Sequence, residues 1–291
     1  MADLRAFALG AVALAALSSA AAAADLLPPP PAYEPPPPIS APEMGGWYIR
    51  GDVGVGVTAS SGLTSTANAA GGSDAIYNST VSEAALFDVG LGYQVTPWFR
   101  ADVTGELRGG SSFQGLEVCN NCGGNNQFSD FYRGNISSTI GLVNGYFDLG
   151  TWYGFTPFVG ASVGVAFNKA YGATDTGAAY TTIGQPGAPV GGYFGNASTT
   201  NLAWALSAGA DFSVSHNLKL ELGYRFLDYG KFNTGASNCL APGTPTGFGC
   251  GASYKVASKE LYSNDFRLGL RYYFDSPAPL PPPEAPLVRK Y

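Results

Sequence analysis

The chain has 291 residues, a net charge of −6 and only 12% charged residues, and its mean hydropathy is +0.04. That hydropathy is too low for a bundle of membrane helices, because each such helix needs about 20 consecutive apolar residues and nothing after residue 25 supplies them. The mildly acidic chain also lacks a Lys/Arg cluster, so nucleic acid is not expected as a partner.

The N-terminus has the pattern of a secretory signal. Arg5 supplies positive charge, residues 6–17 form a short apolar core, and small residues occupy positions 18–24. We therefore expect residues 1–24 to be a cleaved signal peptide of an exported protein. An uncleaved membrane anchor is the alternative, although the apolar run is short for it. Residues 25–45 are proline-rich and are predicted to form an extended linker.

Export would place the four cysteines in an oxidising compartment. Three pairings are open, and the local ones, Cys119 with Cys122 and Cys239 with Cys250, need the least rearrangement of the chain. Cys119 and Cys122 could instead form a redox or metal motif. Their flanks lack a strand-to-helix pattern, however, and the single histidine, His216, is far away in the sequence. We expect disulfides that staple loops, and no metal site.

Eight segments alternate between apolar and polar residues with a period of two, which is typical of β-strands with two unlike faces. They cover residues 47–58, 85–95, 99–107, 136–149, 155–167, 202–214, 218–226 and 266–274.

The fourth segment has no single apolar face. Ile140 and Leu142 share a parity with polar residues, whereas Val143 and Phe147 lie on the opposite face. Either the faces exchange at a β-bulge or a few apolar residues point inward. We favour the arrangement in which Val143, Phe147 and Leu149 face lipid.

The connections between the segments alternate in length. Those after segments two, four and six have about three to seven residues, whereas those after segments one, three, five and seven exceed twenty and are rich in Gly, Ser, Thr, Asn and Ala. Outer-membrane barrels show this asymmetry, with short periplasmic turns and long extracellular loops. We therefore predict an all-β fold, an eight-stranded antiparallel up-and-down transmembrane β-barrel over residues 46–274. Both cysteine pairs then fall in long loops, and the proline-rich residues 25–45 and 275–291 become periplasmic tails.

The polarity of the two faces separates a membrane barrel from a soluble one. One face carries aliphatic residues, with aromatics near the strand ends as in the girdles of a membrane barrel. The other face collects charges, and an arginine or lysine facing lipid would cost about 2–4 kcal/mol at the midplane. A lipocalin-type barrel has the opposite arrangement. We predict a charged lumen lined by Arg50, Asp52, Asp88, Arg100, Asp102, Glu106, Asp211, Lys219, Glu221, Arg225, Asp265, Arg267 and Arg271.

Eight strands leave an interior that side chains can fill. The arginines and carboxylates are therefore predicted to form a hydrogen-bonded plug of structural rather than catalytic residues. Because the first and last segments close the barrel, Arg267 and Arg271 should approach Asp52. A narrow diffusion channel with a wet lumen is the alternative.

Several motifs resemble the opacity-protein-like small outer-membrane β-barrels of Gram-negative bacteria, often called the porin family. They are Asn144-Gly-Tyr-Phe-Asp-Leu149, the stretch FTPFVGASVGV at residues 155–165, and residues 204–230 with their ending GYRFLDYG. The resemblance covers residues 46–274. It implies an outer-membrane location, lipid as a partner, and roles in envelope integrity, antigenicity or adhesion, with no shared catalytic residue. We expect no cofactor.

The last segment resembles the assembly signal of that family, which implies recognition by the barrel-assembly machinery. The chain departs from the family by continuing to Tyr291, so which end the machinery reads stays open. We expect a monomer or weak oligomer, and the tails are candidates for contact with peptidoglycan or another periplasmic structure. The apolar residues of the signal are Phe266, Leu268, Leu270, Tyr272 and Phe274.

Hydrolysis and haem binding are two alternatives to a structural surface role. A histidine-dependent hydrolase is disfavoured because His216 falls in a predicted periplasmic turn. Haem binding would need tyrosine ligands, such as Tyr171, Tyr180 or Tyr193 in the third long loop. We expect a non-enzymatic surface barrel.

Overall fold

The computed structural model describes residues 46–66, 73–120, 127–180, 188–239 and 254–274. Within these ranges, no helix is long and apolar enough to span a membrane. The signal peptide, both proline-rich segments, Cys122 and Cys250 lie outside the described residues. The cysteine pairing and the role of the tails therefore stay predictions.

The described ranges fold into strands. They are β1 (Trp47–Ser60), β2 (Leu63–Ser65), β3 (Ser73–Val81), β4 (Ala84–Thr96), β5 (Phe99–Asn120), β6 (Gln127–Asp148), β7 (Phe155–Tyr180), β8 (Ala188–Phe194), β9 (Ala197–Ser213), β10 (Leu218–Gly230), β11 (Ser237–Cys239), β12 (Val256–Ser258) and β13 (Leu261–Tyr273).

Eight of these strands close into a ring. The order is β1-β4-β5-β6-β7-β9-β10-β13, and every neighbouring pair is antiparallel. The ring closes where β13 pairs with β1, from Tyr48 opposite Tyr273 to Ser60 opposite Leu261. The predicted eight-stranded antiparallel barrel is confirmed.

The outer face of the barrel is apolar, and its charged side chains point inside. Val53 on β1 and Val163 on β7 are 52% and 53% exposed on the isolated chain, which places them toward lipid, whereas Asp52 and Arg100 are 2% and 0% exposed. Because side chains alternate between the two faces of a strand, these exposed fractions show which face of each strand points to lipid and which points into the barrel. The burial agrees with the predicted polarity.

The fourth segment has apolar residues on both faces. Val143, Phe147 and Leu149 are exposed on the lipid side, as favoured from the sequence, and Ile140 and Leu142 are buried inside. The alternation of burial along β6 is unbroken through this segment. The second alternative is therefore the right one: some apolar residues point inward, and the faces do not exchange.

The connections after the third and fifth segments were predicted to be long loops, and this is wrong for most of their length. β5 and β6 stay paired out to Asn120 opposite Gln127, and β7 continues to Tyr180. With β3, β8 and β11 they build a sheet of order β3-β5-β6-β7-β8-β11 beyond the barrel, which we call the extracellular sheet. Gly, Ser, Thr and Asn resemble loop composition, but here the backbone groups are paired between strands.

β-bulges lie where the barrel passes into the extracellular sheet. The register of β5 against β6 shifts between Arg108 and Ser111, where Gly110 has φ 78°. A second shift lies between Arg133 and Asn135 on β6. Bulges are common at barrel rims, and a positive φ favours glycine.

The polarity of the two faces inverts at these bulges. In the barrel part of β5, Asp102 and Glu106 point inward while Val103 and Leu107 face lipid. Beyond the bulge the buried inner side includes Phe113, and its neighbours Ser112 and Gln114 face outward. Because water replaces lipid outside the strand there, the apolar side chains turn to the interior.

Candidate functional site in the lumen and extracellular sheet

The lumen of the barrel is filled by ion pairs. Their side chains are at most 8% exposed and come from seven of the eight ring strands. The six arginines are Arg50, Arg100, Arg108, Arg225, Arg267 and Arg271. The eight carboxylates are Asp52, Asp88, Asp102, Glu106, Asp148, Asp211, Glu221 and Asp265.

The layer nearest the extracellular side pairs two arginines with two carboxylates. Arg108 lies 3.0 Å from Glu106 and 2.7 Å from Asp265, measured between nitrogen and oxygen. Arg225 lies 2.5 Å from Glu106 and 2.6 Å from Asp265. Ser263 Oγ donates to the second oxygen of Asp265 at 2.6 Å. These charge-assisted bonds balance two positive charges against two negative ones within the layer.

The middle layer is organised by Arg50. Its guanidinium lies 2.8 Å from Asp52, 3.4 Å from Asp102 and 2.8 Å from Glu221. Arg267 lies 2.9 Å from Asp52, as predicted, and also pairs with Asp88.

The layer nearest the periplasm contains Arg100 and Arg271. Arg100 contacts Asp148 at 3.2 Å and Glu221 at 3.4 Å. Arg271 pairs with Asp211 and lies 3.1 Å from Glu221. The expectation that Arg271 approaches Asp52 is therefore wrong. The register sets Arg271 opposite Arg50, and like charges turn its guanidinium toward the carboxylates of β9 and β10.

The sequence analysis missed two members of the network, Arg108 and Asp148, and it placed Lys219 in the network, whereas the structure places Lys219 at its margin. Arg108 follows directly after the predicted end of the third segment at Leu107, and Asp148 lies in the segment of mixed polarity. Parity alone would have found Arg108, because it continues the inward series of β5. Lys219 is half-buried, and its ammonium lies 5.6 Å from the centre of the Tyr273 ring.

An aromatic core covers the extracellular end of the lumen. The ring of Tyr229 lies 5.3 Å from the guanidinium carbon of Arg108. Phe113 and Phe232 belong to the same buried cluster, with ring centroids 4.7 Å apart. The short sheet of β2 and β12 adds Val256 to this core. The outermost ion pairs are thus separated from water by packed apolar side chains.

The inner side of the extracellular sheet holds tyrosine–carboxyl pairs that the sequence analysis did not single out. The hydroxyl of Tyr254 donates to Asp175, and that of Tyr132 donates to Glu117. Burial raises the pKa of Asp175, an effect that the hydrogen bond from Tyr254 partly opposes. Burial and the neighbouring Asp175 carboxyl raise the pKa of Tyr254. The partners of the first pair are 79 residues apart and those of the second are 15 apart, so no local pattern reveals them.

The remaining candidate residues do not converge on one site. Tyr171 and Tyr193 are exposed on β7 and β8, and the side chain of Tyr180 lies outside the described residues. His216 lies in the turn between β9 and β10. Within the described ranges, no group of three His, Cys, Asp or Glu is arranged to hold a metal ion. The assembly-signal residues all face lipid: Phe266, Leu268, Leu270, Tyr272 and Phe274.

A family model described as an outer membrane protein β-barrel domain matches residues 9–274. The chain belongs to this family. It is accordingly a β-barrel of the bacterial outer membrane.

The chain is similar to two named bacterial proteins and to one protein of solved structure. The chain is 29% identical over 188 residues to a protein of Rickettsia bellii named as a candidate adhesin, covering 64% of this chain and 73% of that one. It is also 29% identical over 147 residues to the outer membrane protein PagN of Salmonella typhimurium, covering 49% of this chain and 52% of PagN. The crystal structure of neisserial surface protein A is similar with 15% identity and a TM-score of 0.37, covering 80% of this chain and 100% of that one.

The outermost ion-pair layer gives a stability prediction. Arg225→Met would leave Glu106 and Asp265 buried with only Arg108 to neutralise them, so we expect a loss of about 3–5 kcal/mol of unfolding free energy. Urea unfolding of the folded barrel in detergent micelles measures this loss. Lys255→Met, at an exposed position, is the control and should stay within about 0.5 kcal/mol of wild type. Equal midpoints for the two variants would contradict the prediction.

The buried Asp175 carboxyl gives a pH prediction for the extracellular sheet. Its pKa is raised in the folded state, above about 3.9 in the unfolded chain. The folded state therefore binds more protons between the two pKa values, and stability falls as pH rises through that window. Glu117 and Asp130, which lie opposite each other on β5 and β6 near Tyr132, are the other carboxyl groups of this inner side.

We expect hydrogen exchange of β7 and β8 amides to be slower at pH 4 than at pH 7 after correction for intrinsic rates. Asp175→Asn keeps an oxygen acceptor for Tyr254 but does not ionise, so it should reduce this difference. An unchanged difference in the variant would show that Asp175 is not its source.

Proposed function

We propose that this protein is a non-enzymatic surface protein of the outer membrane, in which a sealed barrel anchors the extracellular sheet and presents it for attachment to another surface. The observation that carries the proposal is a pair of ion bridges across the barrel. β5 and β10 are four steps apart in the eight-membered ring, so they lie on opposite sides. Arg225 on β10 reaches Glu106 on β5 at 2.5 Å, and Arg100 on β5 reaches Glu221 on β10 at 3.4 Å.

These bridges support a plug rather than a channel. A solute would have to break buried ion pairs at two heights, and each broken pair would leave charges without partners in a medium of low dielectric constant. The aromatic core above Arg108 adds an apolar barrier at the extracellular end. We therefore prefer a structural and display role to that of a narrow diffusion channel.

The length of the strands supports display. β5 and β6 have 22 residues and β7 has 26, whereas a membrane-spanning strand needs about 9–11. At about 3.3 Å per residue, the excess carries the extracellular sheet roughly 35 Å along the strands. The candidate-adhesin name of the Rickettsia bellii relative agrees with an attachment role.

The sealed lumen predicts an absence of channel activity. Purified full-length protein in a planar lipid bilayer should give no stable single-channel steps. Arg100→Ser combined with Arg225→Ser removes both diametric bridges and should give conductance events where the wild type gives none, provided that circular dichroism shows the variant folded. Stable steps from the wild-type protein would contradict the plug and favour the channel.

The attachment role predicts a gain in adhesion. Bacteria producing the full chain in the outer membrane should attach to cultured host cells more than the same strain without it. Antibody fragments raised against the extracellular sheet should reduce attachment to the background level, whereas fragments against an unrelated outer-membrane protein should not. Attachment equal to that of the deficient strain would refute the role.

A further inference from the structure

The outward side of the extracellular sheet carries exposed aromatic rings among polar side chains. One cross-strand row contains Gln114, Arg133, Thr174 and Tyr193, on β5, β6, β7 and β8 respectively. These neighbours lie about 5 Å apart. The guanidinium carbon of Arg133 lies 5.5 Å from the centre of the Phe131 ring. We call this row and Phe131 the outer-face row.

The outer-face row is almost uncharged. Arg133 is the one charged side chain among the described outward positions of this part of the sheet, because Glu117 and Asp175 point to the buried inner side. A polyanion is held by many cations at once, and a strongly cationic partner would need carboxylates. Charge complementarity therefore favours a partner that is close to neutral.

The spacing of apolar and polar groups favours a saccharide. The core of a protein interface gathers apolar and aromatic residues into one patch. Here Tyr193, which is 50% exposed, is followed along the row by a hydroxyl, a guanidinium and an amide. A sugar ring presents apolar C–H groups on its face and hydroxyls at its edge. It can therefore stack on a tyrosine while the neighbouring side chains donate and accept hydrogen bonds.

We propose that the outer-face row binds a neutral saccharide chain displayed on the surface to which the cell attaches. Tyr193 is the stacking platform, Arg133 and Gln114 bind sugar hydroxyls, and the stacked Phe131 ring holds Arg133 in place. The row extends about 15 Å across four strands, so it takes a short oligosaccharide rather than one sugar. This inference rests on the proposed attachment function and names the chemistry of its target.

The test uses the full chain folded in detergent micelles. It is titrated with unsubstituted oligosaccharides of glucose, galactose and N-acetylglucosamine, and with their sulfated counterparts at the same ionic strength. At least one neutral series should bind. Tyr193→Ser should weaken that binding about tenfold and Arg133→Gln several-fold, whereas Lys259→Ser, exposed outside the row, should leave it unchanged. The heat-dependent shift in gel mobility confirms that each variant is folded.

Three outcomes would overturn the inference: no binding of any neutral series, binding of sulfated sugars alone, or neutral binding that folded Tyr193→Ser leaves unchanged. The cell-attachment assay separates this failure from that of the proposed function. Attachment that persists without saccharide binding keeps the attachment role and refutes the saccharide target. If bacteria that produce the wild-type chain attach no more than the same strain without it, the attachment role itself is refuted.

Discussion

Charges inside the barrel can be neutralised only by one another. The outer surfaces of the ring strands face hydrocarbon, and an aromatic core covers the extracellular end of the lumen. An arginine in this interior that lost its partner would leave an uncompensated buried charge, which is far more costly than the same loss at a surface. The network also opposes slippage of the strands. If one strand slipped by one residue, its inward charges would all turn toward lipid, because the side-chain period of a strand is two.

The surroundings of the long strands change along their length. In β5, Val103 and Leu107 meet lipid and Asp102 meets the charged lumen. Past the bulge at Gly110, Phe113 faces a packed interior and Gln114 faces water. The bulge lets one strand serve both environments, because the extra residue changes the register and bends the strand. One strand thus joins a barrel whose apolar face points outward to lipid with a sheet in which an aromatic side chain points inward, as in a soluble protein.

The period-two pattern was enough to predict the ring and its facing, including Val143 and Phe147 on β6. It failed at the bulges, where the apolar side chains change from the outer face of the strand to the inner face. The pattern does not reach Arg108 because the polarity switch follows it directly, and it predicts loops for the sheet beyond because those residues are rich in Gly, Ser, Thr and Asn. Other features depend on distances between strands far apart in the chain. The partner of Arg271 follows from the barrel register, and Tyr254 lies 79 residues from Asp175.

Sealing the lumen and presenting the extracellular sheet depend on the same strands. β5, β6 and β7 run without a break from the ion-pair layers into that sheet, so the bridges from β5 to β10 also hold the base of the sheet in place. A surface held in this way has little conformational entropy to lose when a partner binds, in contrast to a flexible loop. A channel would need an interior that opens and fills with water, which would loosen that base. The physical requirements for display therefore favour a closed barrel.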